Sequence, residues 1–398
     1  MITDTIGAAP RSANAYEKLV RDIFASAGIP SDGSTPHAIR VRNPAFYHRF
    51  LRDGTLGLGE TYMDAWWDCD DLPEMMARFA KAGISRRFRL NPRFILNRFR
   101  AKLLNEGNVK NALFGVRKHY DIGNDLFAEM LDPLMVYTCG YWNEANNLAD
   151  AQVAKMELIC RKLDLRPGMR VLDIGCGWGS LLKYAAQRYG IVGVGVSNSV
   201  QQLLLARDLC TGLPIEFLER DYRAITGKFD RILSVGMFEH VGYQNHRTYM
   251  EVVDRCLDEG GLSLLHTMGR TASMTRGNDQ WITKYIFPNT QVPSLAQIGT
   301  AIDGLFVLED VENLSTDYEK TLLAWHENFV QNWPRLAQGT RASYGDETFR
   351  RMWEYYLLIF AGWFRARSLQ LWQFVLSKGG CPGGYPWQKE RRVLWARA

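Results

Sequence analysis

VLDIGCGWGSLL, residues 171–182, runs from a β-branched apolar stretch into a helical pattern through Gly175, Gly177 and Gly179. Glycines at such a junction let the turn tighten and let the backbone come close to a bound group. A dinucleotide fingerprint would place its third glycine at position 180 and an acid at the end of the next strand. Ser180 stands at the first of these places, and Ser197 and Asn198 stand at the second. The loop therefore reads as a cradle for a ligand other than a dinucleotide.

Strand-like runs flank this loop at 169–175, 191–197, 214–221, 229–236 and 261–269, with the helical patterns GSLLKYAAQRYG and SVQQLLLARDLCTG between them. Short apolar strands alternating with crossover helices predict an α/β fold with a mostly parallel, doubly wound sheet, whose ligands bind at the carboxyl ends of the strands. Residues 15–83 differ in texture: AYEKLVRDIFASAG and PEMMARFAKAG are short amphipathic helices broken by Gly and Pro. The expected organisation is a smaller, mainly helical N-terminal domain over 1–108 and a catalytic domain over 109–398.

The chain has 398 residues, with 48 Lys and Arg against 43 Asp and Glu for a net charge of +5, too mild a balance to indicate a nucleic-acid partner. Its seven cysteines are widely spaced, with no pair or His cluster at metal-ligand spacing, which points to reduced thiols and no metal. The N-terminal sequence lacks a secretory pattern, and the apolar run YYLLIFAGWF stops at Arg365, so neither a signal peptide nor a membrane span is expected. Residues 84–102, ISRRFRLNPRFILNRFRAK, carry seven Arg or Lys and no acid among Phe, Leu and Ile. That linker is either a solvated helix face or a surface for anionic lipid headgroups.

The G-x-G-x-G spacing after VLD resembles motif I of the class I S-adenosylmethionine methyltransferases. The resemblance narrows with HYDIGNDLFAEMLDPLMVYTCGYW (119–142), FDRILSVGMFEHVG (229–242), LLHTMG (264–269), KYIFPN (284–289) and FRAR (364–367). Together these look like the cyclopropane-fatty-acyl-phospholipid synthases, relatives of the mycolic acid cyclopropane synthases, from about residue 40 to about 376. The resemblance implies a class I methyltransferase fold, Rossmann-like, and methyl transfer from S-adenosylmethionine to a cis double bond of a phospholipid acyl chain. An alkene is a poor nucleophile, so transfer leaves a carbocation, and one proton must leave the new methyl as the ring closes. Such a site must be dry and apolar, must turn π faces to the cation, and needs a base that is not easily alkylated. In the family that base is a bound bicarbonate ion.

Carried over by position, the bicarbonate site comprises Cys139, Glu239, His266, the backbone of Met268, and Tyr318. Glu239 is expected to fix the ion's orientation or accept its hydroxyl proton, with His266 and Tyr318 as donors. S-adenosylmethionine falls to Tyr137, Thr138, Asp173, Gly175, Gly177, Gly179, Ser197, Gln202, Asp221 and Tyr222. VSNSVQQ departs from the family's form around Ser197, and Met268 replaces an isoleucine. Cys139 is expected to be a neutral thiol lining the anion pocket, because a thiolate beside a sulfonium methyl would itself be methylated. The resemblance further implies a homodimer that is cytoplasmic and peripheral on the inner membrane face, with the bilayer surface as partner. The alternatives are a related C-methyltransferase leaving a methyl or methylene branch, and a lipid-binding regulator without activity.

Overall fold

The structure, a computed structural model, describes residues 13–84, 123–273, 279–288, 290–339 and 346–388. The chain forms two compact units, one of Met1–Phe99, Asp279–Ile286 and Trp333–Ser368, the other of Arg100–Asn278, Phe287–Asn332 and Leu369–Ala398. The expected boundary at 108/109 and the basic stretch from 85 to 102 lie outside the described residues.

In the first unit, β1 (Arg40–Val41) pairs antiparallel with β2 (Trp67–Asp68) among the helices Ala13–Ala25, Ala45–Asp53, Thr55–Met63 and Leu72–Lys81. The last of these starts where the Asp71 side chain accepts the Glu74 amide, with Pro73 in its first turn. Phe24, Phe46, Phe50 and Phe79 are fully buried against one another. The helices Gln280–Tyr285 and Glu347–Arg365 also belong to this unit. Gly362 lets the latter close on the Leu72–Lys81 helix, since a Cβ there would lie 2.5 Å from the Pro73 carbonyl oxygen. Arg351 on the same helix donates to the Trp67 carbonyl at 3.0 Å and to Asp68 at 2.8 Å. These are long-range contacts, which no local pattern announces.

The second unit is built on a seven-stranded sheet in the order β5-β4-β3-β6-β7-β9-β8. Its strands are β3 (Arg170–Ile174), β4 (Val192–Ser197), β5 (Ile215–Glu219), β6 (Phe229–Val235), β7 (Leu257–Arg270), β8 (Val307–Asn313) and β9 (Leu369–Ser377). β3 to β7 pair in parallel, while β9 runs antiparallel to both β7 and β8. This is the mostly parallel, doubly wound sheet that the strand spacing predicts. Alternation along the strands divides the apolar core into two clusters: Val171, Leu233, Leu264 and Val375 in one, Leu172, Ile232, Leu265 and Phe374 in the other. The first cluster includes Met156, Leu158 and Ile159 of the helix Leu148–Lys162. The chain order reverses at β3, with β4 on one side and β6 on the other, which opens a crevice beyond their carboxyl ends. Among the described residues no helix is long and apolar enough to cross a membrane.

Candidate active site

A cavity occupies that crevice. Gly175 and Gly177 contribute to its wall from the loop after β3, and Asp173 from the strand itself. Ser197 and Gln202 line it after β4, Asp221 and Tyr222 after β5, and Tyr137 and Thr138 from the segment ahead of the sheet. Nine of the ten residues assigned to S-adenosylmethionine thus share one wall. Gly179 is the exception. With φ +80° and a Cβ position 2.7 Å from the Phe217 ring, it serves the close packing of the Ser180–Tyr189 helix on the sheet. Gly177, by contrast, has φ +54° and open space where a side chain would stand.

Asp173 is buried, and its Oδ1 has no hydrogen-bond partner among the described residues. Burial pushes its carboxyl up to about 7, opposed by the nearby Lys155 ammonium. Asp221 is more committed: it accepts the Arg223 amide at 3.0 Å and pairs with that guanidinium at 3.3 Å, which in turn stands 4.8 Å from the Tyr222 ring centroid. Ser197 and Gln202 are joined at 3.2 Å.

Sequence reading missed Lys155. Only 1% exposed, it lines the cavity and donates to Thr138 Oγ1 at 2.7 Å. Burial lowers its pKa to about 8, opposed in order by Asp132, Cys139 and Asp173. Asp132 also accepts the amides of Leu134 and Val136, at 2.9 and 3.0 Å, and so fixes the segment leading to Tyr137. The available signal was periodicity: Lys155 and Lys162 fall on the inward stripe of the Leu148–Lys162 helix with Ala151, Gln152 and Ile159.

The five residues assigned to the anion are not among those that line this cavity. Glu239 follows β6 in a short 3-10 turn and accepts the Met268 amide at 2.6 Å. The Met268 amide is therefore directed at Glu239, and its part is to hold that carboxylate. His266 lies two residues earlier on β7, and its carbonyl accepts the Gly236 amide at 2.9 Å. Glu239 is 2% and His266 1% exposed, and among the described residues Glu239 Oε2 and His266 Nε2 have no hydrogen-bond partner. Burial pushes Glu239 up to about 7. It also holds His266 well below its ordinary range, helped by Lys155 and Lys162, so the imidazole is neutral.

Cys139 is fully buried, its Sγ 3.1 Å from the Gly140 carbonyl oxygen and 3.8 Å from that of Leu314. Burial pushes its pKa far up, which leaves a neutral thiol rather than a nucleophile. Thr321 accepts the Gly140 amide at 3.0 Å and the Trp142 indole N–H at 2.9 Å, tying this segment to the helix Ser315–Ala337 that carries Tyr318. Trp325 on that helix joins the two halves of the site. Its ring lies 5.1 Å from Tyr137 on the cavity wall and 6.0 Å from Tyr318. Phe127 packs on Tyr137 at 5.0 Å and on Trp178 at 5.2 Å, backing the two rings that line the cavity.

The family model described as mycolic acid cyclopropane synthetase matches residues 108–374. The chain belongs to the mycolic acid cyclopropane synthetase family. It is 47% identical over 364 residues to the cyclopropane-fatty-acyl-phospholipid synthase of Escherichia coli (strain K12), covering 92% of this chain and 94% of that one. The cyclopropane synthase MmaA2 from Mycobacterium tuberculosis superposes with a TM-score of 0.61 at 28% identity, over 67% of this chain and 98% of that one. The mycolic acid cyclopropane synthase CmaA1, solved with SAH and CTAB, gives 0.60 at 29% identity over 67% and 98% of the two chains. As a cyclopropane synthetase family member, the protein is an S-adenosylmethionine-dependent methyltransferase that works on acyl chains. The cavity suits that cofactor: an open glycine cradle at Gly177, a buried carboxylate at Asp173 with one oxygen free for a cation, and π faces beside it.

Proposed function

We propose that this protein converts a cis double bond in a phospholipid acyl chain into a cyclopropane ring. The observation that carries the reading is a pair of buried polar atoms, Glu239 Oε2 and His266 Nε2, that have no partner among the described residues. Bound S-adenosylmethionine supplies an electrophilic methyl. Asp173 faces its positive charge, the backbone at Gly175 and Gly177 cradles the methionine end, and Asp221 and Tyr222 border the adenine. Tyr137, backed by Trp325 and Phe127, turns a π face to the positive charge that develops on the acyl chain. Dry surroundings strengthen those attractions and keep water from the cation.

The proton lost at ring closure needs an acceptor, and the described residues assigned to this site offer few. Cys139 is a neutral thiol, and His266 is a weak base. A small anion with its own hydroxyl, for which bicarbonate is the assignment, fits the two orphaned atoms: Glu239 Oε2 accepts the hydroxyl proton and His266 Nε2–H donates to an oxygen. Tyr318 is placed as a further donor, and Cys139 as a wall. The lipid is met at the inner face of the cytoplasmic membrane, with the basic and aromatic stretch 84–102 as the docking surface. A homodimer would grip the bilayer twice and gain avidity.

Given vesicles with cis-unsaturated phospholipids and S-adenosylmethionine, the purified protein is expected to add the mass of one CH2 to the acyl chains. Ring protons far upfield in the NMR spectrum separate a cyclopropane from a methylene branch of equal mass. An unchanged fatty-acid mass sinks the proposal.

Cys139→Ser tests the place of the thiol. The smaller hydroxyl can still donate to the Gly140 or Leu314 carbonyl oxygen and accept from the Thr321 hydroxyl, so turnover is expected to fall by less than about tenfold, within about 1.4 kcal/mol of barrier. A folded but inactive Cys139→Ser enzyme would restore the cysteine as a nucleophile.

A further inference from the structure

His266, Gln373 and Glu312 lie side by side across β7, β9 and β8, because the register pairs His266 with Gln373 and Gln373 with Glu312. Lys162, at the end of the Leu148–Lys162 helix, reaches this row with an ammonium that is 0% exposed. It pairs with Glu312 at 2.5 Å and Asp310 at 3.6 Å, and donates to Gln373 Oε1 at 2.8 Å. An ammonium has donors only, so the lysine decides which end of the amide faces it. The Gln373 NH2 is thereby turned to His266 Nδ1, 3.2 Å away. An amide nitrogen also only donates. Nδ1 must then offer its lone pair, and the imidazole proton must sit on Nε2.

We propose that Lys162 and Gln373 are positioning residues that lock His266 in its Nε2–H tautomer, making it a hydrogen-bond donor that cannot serve as a base. A proton on Nδ1 would set N–H against N–H, so the lock also opposes the imidazolium. The charges around the ring act in the same direction: Lys155 and Lys162 are cations, while Glu312 and Asp310 lie beyond the amide, paired with Lys162. Nε2, buried and without a partner among the described residues, is then an N–H that calls for an acceptor from a bound group. This rests on the proposed cyclopropanation only for what that acceptor is: an anion that both takes this N–H and removes the ring-closure proton. The relay has its physical parallel in metal-bound histidines, where a partner on one ring nitrogen sets the role of the other.

The test is the nitrogen spectrum of the full-length protein labelled with 15N-histidine, His266 being assigned by the signal lost in His266→Gln. Wild type is expected to show a protonated Nε2 and a bare Nδ1 throughout the neutral pH range. Gln373→Glu presents an acceptor to Nδ1 and is expected to move the proton there, with turnover down about a hundredfold, as for loss of one well-placed donor. The KM for S-adenosylmethionine should stay unchanged. Gln373→Met, which neither donates nor accepts strongly, should give a mixture of tautomers and an intermediate rate. A wild-type spectrum with the proton on Nδ1 overturns the proposal, whether or not the variants fold. So does a Gln373→Glu spectrum identical to wild type. A moved proton with undiminished turnover upholds the relay and refutes the anion-binding role given to His266.

Discussion

Replacing Glu239 by glutamine is expected to lower turnover by about two to three orders of magnitude, in the range for a group that manages a proton at the reacting centre. S-adenosylmethionine affinity should change little, because Glu239 is not part of the cofactor wall. The structure tells the two carboxylate oxygens apart. Oε1 is tied to the Met268 amide at 2.6 Å, while Oε2 is buried with no partner among the described residues. A glutamine must keep its carbonyl toward Met268, since its NH2 there would oppose another N–H. The NH2 then lands at Oε2, a donor where an acceptor is needed. Acid should have the same effect on the wild type. Burial raises the Glu239 carboxyl to about 7, so lowering the pH through that value protonates it and turns Oε2 from acceptor to donor. At saturating S-adenosylmethionine, whose cation keeps the Asp173 carboxyl ionised, activity should therefore climb with pH through about 7 in wild type, and this limb should be missing from Glu239→Gln on the same vesicles. A variant that keeps more than a tenth of wild-type turnover would remove Glu239 from the chemistry.

The parts of this molecule that were legible in the sequence are those whose meaning is local. Strands β3 to β6 fall within two residues of the runs that announce them, because a glycine turn two or three residues ahead opens each one, at Gly168, Gly190, Gly212 and Gly227. The loop from Gly175 to Gly179 was legible for the same reason: positive φ is a property of one residue and glycine meets it alone. Asp221 and Tyr222 show the limit. Both line the cavity, but the Asp221 oxygens cap a turn and hold Arg223, an arrangement that motif position does not reveal. Lys155 and Lys162 were legible only as inward positions of their helix, and Gln373 was not legible, because it acquires its role from distant partners. Gln373 meets Lys162 across 211 positions and His266 across 107. In LQLWQFVLS of β9 all nine residues are buried, so a glutamine there reads as another core position until the register sets it beside a histidine. The helix Glu347–Arg365 is of the same kind, since its place with the first unit depends on contacts more than 280 residues apart, such as Arg351 to Trp67.

Gly175→Ala is expected to weaken S-adenosylmethionine binding by about two orders of magnitude, read by calorimetry on protein that still folds. The glycine has φ +93°, a region that costs an L residue about 1–3 kcal/mol, and an added Cβ would stand 2.7 Å from Met237 Cβ. Its amide also bonds the Val196 carbonyl at 2.8 Å, so the backbone cannot swing aside without breaking the link to β4. The loop must shift as a piece, and about 3 kcal/mol of misfit corresponds to about a hundredfold in affinity. Strain alone would predict a similar loss wherever such a glycine is replaced, and two further substitutions separate strain from contact with the ligand. Gly177 and Gly212 both have positive φ, +54° and +82°, and at both an added Cβ meets nothing within 4 Å. Only Gly177 lines the cavity. Gly177→Ala and Gly212→Ala should therefore cost stability alike, about 1–2 kcal/mol each in thermal unfolding. Affinity should fall only for Gly177→Ala, whose methyl enters the space that the backbone leaves for the cofactor. Equal affinities in these two variants would mean that the open space at Gly177 holds no ligand, and the cradle would have to be moved elsewhere along the loop.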